Sequence, residues 1–239
     1  MVPGFERDEL RSRYDVISFR EDCWHAYTGE MTARILARFL PETNSASNWL
    51  LNAGAGVYEI GDSAWQEISA DLFVAPIRRR TYAVCANVER LPFKAGSLGA
   101  VVCVGEVLAY CDPAAAIREF ANVLAPDGLL ICDFASSRSP RYWLRRPYGR
   151  AADLITDEYN GAPERTWVYD PDYVGSLLHE AGFRIREVVG THAWSALARR
   201  AGAAPETALR LQKLMQRLPL PARLADLTTI VASRSASAT

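Results

Sequence analysis

The sequence contains no hydrophobic run of the roughly 20 apolar residues that a bilayer-spanning helix needs. Its first fifteen residues, MVPGFERDELRSRYD, are charged and include no apolar segment of the kind that marks a secretory leader. A dominant charge sign is missing as well. The 239 residues carry 27 basic and 28 acidic side chains, a net charge of −1, with a pI of about 6.3. That balance argues against a broad basic surface for nucleic acid. Histidine is scarce, at three, and the five cysteines are odd in number with no CxxC pair. A disulfide frame or a cysteine metal site therefore lacks its usual spacing, and no metal is expected. Cys85, Cys103 and Cys132 fall inside apolar, strand-like runs, as buried thiols of a reducing compartment do, so a cytoplasmic location is expected. Internal repeats and low-complexity linkers are absent, and only the small polar tail SRSASAT reads as a frayed end.

What is present is an alternation of strand and helix. Apolar positions at helical spacing over 28–40 predict a helix stopped by Pro41. Strands are predicted at 48–53, 65–70, 82–87, 99–105 and 129–134, with closing strands at 183–190 and 227–234. GAVVCVG at 99–105 is nearly all apolar, as a central strand covered on both faces must be. Asp112 and Pro113 make an N-cap and first-position pair for a helix to about Leu124, and Gly182 closes a helix over 171–181. The pattern predicts one α/β domain, a doubly wound, mostly parallel seven-stranded sheet with helices on both faces. Within 1–239, residues 1–45 supply a lid and first helix, 48–134 a core, and 135–170 with 191–225 two inserts. Ligands of such sheets bind beyond the carboxyl ends of the strands, so the residues just after each strand carry the functional interest.

LLNAGAG at 50–56 runs a strand straight into Gly54 and Gly56. Glycine lets the chain turn sharply and lets a ligand approach without a Cβ in the way. A helix is expected next, offering free N–H groups and a positive end to a nucleotide-like or carboxylate-bearing cofactor. Asp71 ends the second strand, where an acid can accept both hydroxyls of a ribose. Asn87 ends the third strand, where its carbonyl can take an adenine amine while Val88 offers a backbone N–H. A pyrophosphate site would want a third glycine or a Walker lysine, but Glu59 holds the former position and no G-K-[ST] occurs. An adenosine with a short amino-acid arm therefore fits better than NAD or ATP.

These segments, with NVERLPFKAGSLGAVVCVGEVLAYCDP and REFANVLAPDGLLICDF, resemble the class I S-adenosylmethionine-dependent methyltransferases over roughly 48–134. The looser LLHEAGF and the final strand pair extend the likeness. The resemblance implies an antiparallel last strand, an N-terminal helical lid and S-adenosylmethionine as cofactor. It places Asn52, Ala53, Gly54, Ala55 and Gly56 at the methionine arm and ribose, Asp71 with Leu72 at the ribose, and Asn87 with Val88 at the adenine. Val104 would lie beside the transferred methyl, and Tyr14 either caps the cofactor from the lid or staples the N-terminal segment. Two positions depart from the family: Asn52 stands where an acid is usual, and Tyr58 where a small residue is usual.

Methyl transfer is an in-line displacement from an already activated donor, so alignment does most of the work and a base is needed only if the acceptor must lose a proton. His25, His192 and Glu106 are the candidate catalytic residues, each with a structural reading beside it; His179, mid-helix, reads as structural. Five arginines at 138, 141, 145, 146 and 150 make a basic loop, read as solvated sooner than as a clamp for an anionic acceptor. Of the aromatics after strands five and six, Trp194 is the best candidate for an acceptor pocket. The helical arm at 205–218 either covers that pocket or makes a homodimer. Methyl transfer to an oxygen or nitrogen of a small molecule is the expected activity, with no nucleic acid or membrane partner. A binding or partner subunit without catalysis is the alternative.

Overall fold

The computed structural model describes residues 5, 10, 23–42, 47–62, 64–159, 162–215, 218 and 222–235. Its main sheet is built from β1 (Trp49–Ala53), β2 (Gln66–Asp71), β3 (Ala83–Cys85), β4 (Leu98–Cys103), β5 (Leu124–Ala135), β8 (Phe183–Thr191) and β9 (Leu227–Arg234), in the order β3-β2-β1-β4-β5-β9-β8. β1 to β5 pair in parallel, whereas β9 runs antiparallel to both β5 and β8. This is the Rossmann-like arrangement that the alternating pattern implied. The strand order reverses between β1 and β4, which puts the ligand crevice outside the glycine turn.

The sheet's two faces bury different helices because its side chains alternate. Ile35, Leu36 and Phe39 of α1 (Cys23–Phe39), with Leu40, pack on Leu50, Ala100, Val102, Leu129, Ile131 and Val231. On the other face Ile117 and Phe120 of α3 (Pro113–Val123) and Val174 and Leu178 of α4 (Pro171–Glu180) pack on Leu51, Val101, Leu130 and Cys132. Each such side chain contributes about 1.5–3 kcal/mol on full burial. Every residue of β4 is buried, in keeping with its apolar sequence. Both α3 and α4 start as their sequences dictate: Asp112 accepts from the Ala114 N–H, Asp170 from that of Asp172, and proline occupies the first turn. Gly182 follows α4 in a left-handed conformation.

Three expectations are corrected. First, no helix follows the glycine turn among the described residues. Only twelve residues separate Ala53 from Gln66, and Gly61 and Asp62 interrupt them, so no apolar stripe at helical spacing can form. The segment instead lies against the polar side chains of β2. Glu67 accepts from the N–H groups of Ile60 and Gly61 at 3.1 Å each, and the Asn52 amide donates to Glu67 at 2.9 Å and to the Tyr58 carbonyl at 3.0 Å. Arg80 adds an ion pair with Glu59 and a bond to the Val57 carbonyl. The next connection holds only the single turn α2 (Val74–Ile77). Second, β3 stops at Cys85, two residues short of the expected end.

Third, residues 152–169 of the first insert form a hairpin, β6 (Ala152–Tyr159) with β7 (Ala162–Tyr169). The signal was Asn160-Gly161 between two strand-length runs, the commonest two-residue hairpin sequence. The second insert carries two helices, α5 (Ala193–Arg200) and α6 (Pro205–Met215), where one was expected. Of the N-terminal lid, Phe5 is described: its ring lies 5.9 Å from that of Tyr110, and Arg165 sits over it. Tyr14 lies outside the described residues. Among the described residues no helix is long and apolar enough to cross a membrane. All five cysteines are free thiols, and Cys85, expected to be buried like Cys103 and Cys132, is exposed on β3, the edge strand of the sheet.

Candidate active site

The glycine turn folds over the end of β2. The N–H groups of Gly54 and Ala55 both donate to the Ala70 carbonyl, at 2.8 and 2.9 Å. Gly54 and Gly56 have φ of +71° and +49°, values that a residue with a Cβ seldom adopts. A Cβ on Gly54 would lie 2.4 Å from Val107, so the loop after β4 closes directly onto the turn. No atom lies within 4 Å of the Cβ position of Gly56, which is open. Ala53 and Ala55 are buried beside them.

Asp71 is buried at the end of β2, its carboxylate accepting from the Gly56 N–H at 2.8 Å and the Phe73 N–H at 2.9 Å. Desolvation raises its pKa, and the backbone bonds oppose that rise. Leu72, the next residue, is half-buried and its carbonyl takes the Cys85 thiol. Asn87 is exposed just past β3, its side-chain oxygen accepting from Glu89 N–H in a local turn. Val88 is buried, and its N–H has no acceptor among the described residues. Strands lie about 4.8 Å apart, so the ends of β3, β2, β1 and β4 span roughly 14 Å.

That span and this donor set suit an adenosine with an amino-acid arm. Asp71 can accept from a ribose, Asn87 can accept from an adenine amine, the spare N–H of Val88 can donate to the ring, and Gly56 leaves room. Asn52, expected at the cofactor, is instead buried in the tie between the turn and Glu67. An acid here would face the Glu67 carboxylate, which accounts for the amide. The glycine turn leads into no helix among the described residues, so the dipole contribution expected from the sequence is lacking there.

Beyond β4 the chain turns through Gly105 (φ +85°) and Glu106 (φ +62°). Asp133, on β5 and fully buried, fixes this turn by accepting from Gly105 N–H at 3.0 Å and Glu106 N–H at 2.8 Å. Burial pushes the Asp133 carboxyl up to about 6 against these bonds. Glu106 is half-buried, and its carboxylate has no hydrogen-bond or ion-pair partner among the described residues. Burial first, and then the charges of Asp133, Asp226 and Glu164, push it up to about 8, with Arg141 opposing. Val104 lies half-buried between this turn and the strand.

An outer ring surrounds this pair. Tyr110 donates to Glu164 of the hairpin at 2.6 Å. Ser139 donates to Asp226 at 2.7 Å, and Arg141 bridges Asp226 and Asp157. Arg138 and Arg146 are likewise committed to acids, Arg138 to Asp170 and Asp172 and Arg146 to Asp153. The basic loop is thus largely an inventory of ion pairs that holds the inserts on the sheet.

His192 is buried at the start of α5, stacked on Trp24 with ring centroids 3.8 Å apart. Its Nε2 lies 2.9 Å from the Thr28 hydroxyl and its Nδ1 3.1 Å from that of Ser195. Thr28 donates to the Trp24 carbonyl, so its oxygen is left to accept from Nε2, which selects that tautomer. Desolvation brings His192 down to about 4, and the ring is neutral at pH 7. His25 is exposed on the first turn of α1. Trp194, expected at a pocket, donates instead from its indole to Leu218, and its backbone N–H bonds Gln212 of α6. Sequence reading missed Asp133, Asp226 and Glu164. Asp133 was legible in principle as the one acid in the apolar run LLICDF; the other two come from a short loop and a hairpin with no motif.

Residues 49–132 match a family described as a methyltransferase domain. A sequence search of curated proteins finds no match. Among solved structures, an S-adenosylmethionine-dependent methyltransferase from Methanosarcina mazei is 15% identical, with a TM-score of 0.56 over 83% of this chain and 97% of that one. The 1,6-didemethyltoxoflavin-N1-methyltransferase of Burkholderia thailandensis, solved with 1,6-didemethyltoxoflavin and S-adenosylhomocysteine, is 15% identical. It gives a TM-score of 0.56 over 99% of this chain and 93% of that one. The [4+2]-cyclase SpnF is 17% identical, with a TM-score of 0.56 over 91% and 86%. At these identities the likeness is one of fold.

Proposed function

We propose that this class I S-adenosylmethionine-dependent methyltransferase, so identified by residues 49–132 and its sheet, methylates a nucleophilic oxygen or nitrogen of a small molecule, with Glu106 as general base. S-adenosylmethionine supplies a methyl group on a positively charged sulfur, ready for in-line displacement. Gly54 and Gly56 give backbone room for its arm, Asp71 accepts from the ribose, and Asn87 with Val88 holds the adenine. Asp133 sets the Gly105-Glu106 turn, and Val107 joins that turn to Gly54, so the base and the cofactor turn form one packed unit.

The observation that carries this reading is Glu106. It is a half-buried, unpartnered carboxyl raised to about 8 beyond the central strand, next to the glycine turn. A base works best with a pKa near the working pH. In this role its carboxylate takes the proton that the acceptor loses as the new bond forms. The B. thailandensis enzyme, whose name states an N-methylation, supports a small-molecule acceptor by likeness of fold. Five free thiols, of which Cys103, Cys111 and Cys132 are buried, match a cytoplasmic location.

The bare glycine turn favours a second reading, a binding subunit that does not turn over. Calorimetric titration with S-adenosylhomocysteine separates the two. Micromolar affinity that falls at least about tenfold in Asp71→Ala, together with mass-spectrometric gain of one methyl on an acceptor, supports the enzyme. Absence of binding overturns it.

A further inference from the structure

A cavity of about 580 Å³ lies beyond the carboxyl ends of β5 and β8, walled by the first turn of α1, the 138–146 segment and the junction of α5 with α6. Four guanidinium groups line it, from Arg141, Arg145, Arg199 and Arg200, against a single acid, Glu206. Trp24 and Pro205 supply apolar wall. The size suits a small-molecule ligand.

The charge on this wall is not balanced. Arg141 is neutralised by Asp226 and Asp157. Arg145 and Arg200 have no carboxylate partner among the described residues, and Arg199 donates only to the Ala203 carbonyl. Glu206 pairs with none of them. Arg138 and Arg146 of the basic loop, by contrast, are paired with Asp170 and Asp153. Three uncompensated cations thus converge on one concave wall of a chain whose net charge is −1. Arg141, which lines this cavity, also opposes the rise in the Glu106 pKa.

We propose that this cavity binds the acceptor by an anionic group, a phosphate or a carboxylate set, with Arg145, Arg199 and Arg200 as its ligands. The proposal rests on the methyltransferase reading for the word acceptor, but the anion site stands on its own residues. Guanidinium groups meet both anions with paired N–H donors, so the shared chemistry is an anionic group with two oxygens that accept side by side. Arg141 then serves as the boundary, holding the acid-rich side of the site apart from the anion.

The test is calorimetric titration of the full chain with inorganic pyrophosphate and with citrate, beside S-adenosylhomocysteine. Saturable binding of either anion at a Kd below about 1 mM is expected. In the double variant Arg145→Ala, Arg200→Ala that affinity falls at least about tenfold, while the melting temperature and the S-adenosylhomocysteine affinity stay within error. The stronger of the two probes names the source of the charge. No saturation by either anion, or binding that survives the double substitution, overturns the site and returns Arg199 and Arg200 to the role of helix-end cations. Loss of S-adenosylhomocysteine binding by the wild type with anion binding intact overturns the methyltransferase reading alone.

Discussion

Glu106 and Asp133 are two carboxyls of one turn with different tasks. Asp133 is spent on backbone N–H groups, whereas the Glu106 carboxylate has no partner among the described residues, and burial raises both. A base with this pKa gives a rate that climbs through about pH 8 as the carboxyl ionises. Glu106→Gln is expected to abolish that climb and lower kcat/KM by about 10²–10⁴-fold, read from a pH profile of methyl transfer. The same group sets a stability signature. A folded pKa above the unfolded value means that stability is full below about pH 4.5 and is lost as pH rises towards 8. Relative to wild type, Glu106→Gln therefore gains about 2 kcal/mol between pH 5 and pH 9 in urea unfolding, less than ~1.4 kcal/mol per pKa unit because the group keeps some exposure. Asn52 is a second residue with a single physical task. Asn52→Asp sets a carboxylate against Glu67 and removes two donors, for an expected loss of about 2 kcal/mol. Adding Glu67→Gln should recover most of it in a double-mutant cycle, and a cycle without coupling would refute the tie.

At the scale of elements, the helices on the two sides of the sheet are unequal. α3 and α4 share one face, while α1 covers the middle of the other and the 54–62 loop covers its β2 margin. That leaves β2 polar towards the loop, with Glu67 and Ser69 in place of apolar residues. The α1 face therefore depends on few contacts. Phe39→Ala, at a buried end of α1, is expected to cost about 3–5 kcal/mol in urea unfolding. A cost below about 1 kcal/mol would show that this face collapses around the loss. The β6–β7 hairpin matters through its acids: it brings Glu164 to Tyr110 and Asp157 to Arg141.

For the whole molecule, pH acts through opposed groups. His192, neutral and brought down to about 4, binds no proton in the fold where the unfolded chain does, so stability is lost as pH falls from 6.5 towards 4. Glu106 and Asp133 remove stability as pH rises above their unfolded values. The windows overlap: between about pH 4.5 and 6.5 the gain from His192 offsets part of the loss from the two carboxyls, so stability should fall with pH up to about 8, in denaturant unfolding followed from pH 4.5 to 9. His192→Asn, a residue that tolerates the left-handed backbone at this position, removes that offset and is expected to steepen the fall between pH 4.5 and 6.5 while leaving the fall above pH 7 unchanged. The sequence alone determined the sheet and the strand ends at which the cofactor is proposed to bind. Strand periodicity, the proline-led caps and the glycine turn are local features, so Gly54, Asp71 and Asn87-Val88 could be read at their strand ends before any packing was known. The missing helix could not be read from a motif, because the loop's partner is Glu67 on a neighbouring strand. Nor could the raised Glu106, because its neighbours Asp133, Asp226 and Glu164 lie 27, 120 and 58 residues away. Their charges meet only where β4, β5 and the hairpin converge, and burial there, which no stretch of sequence carries by itself, decides the chemistry.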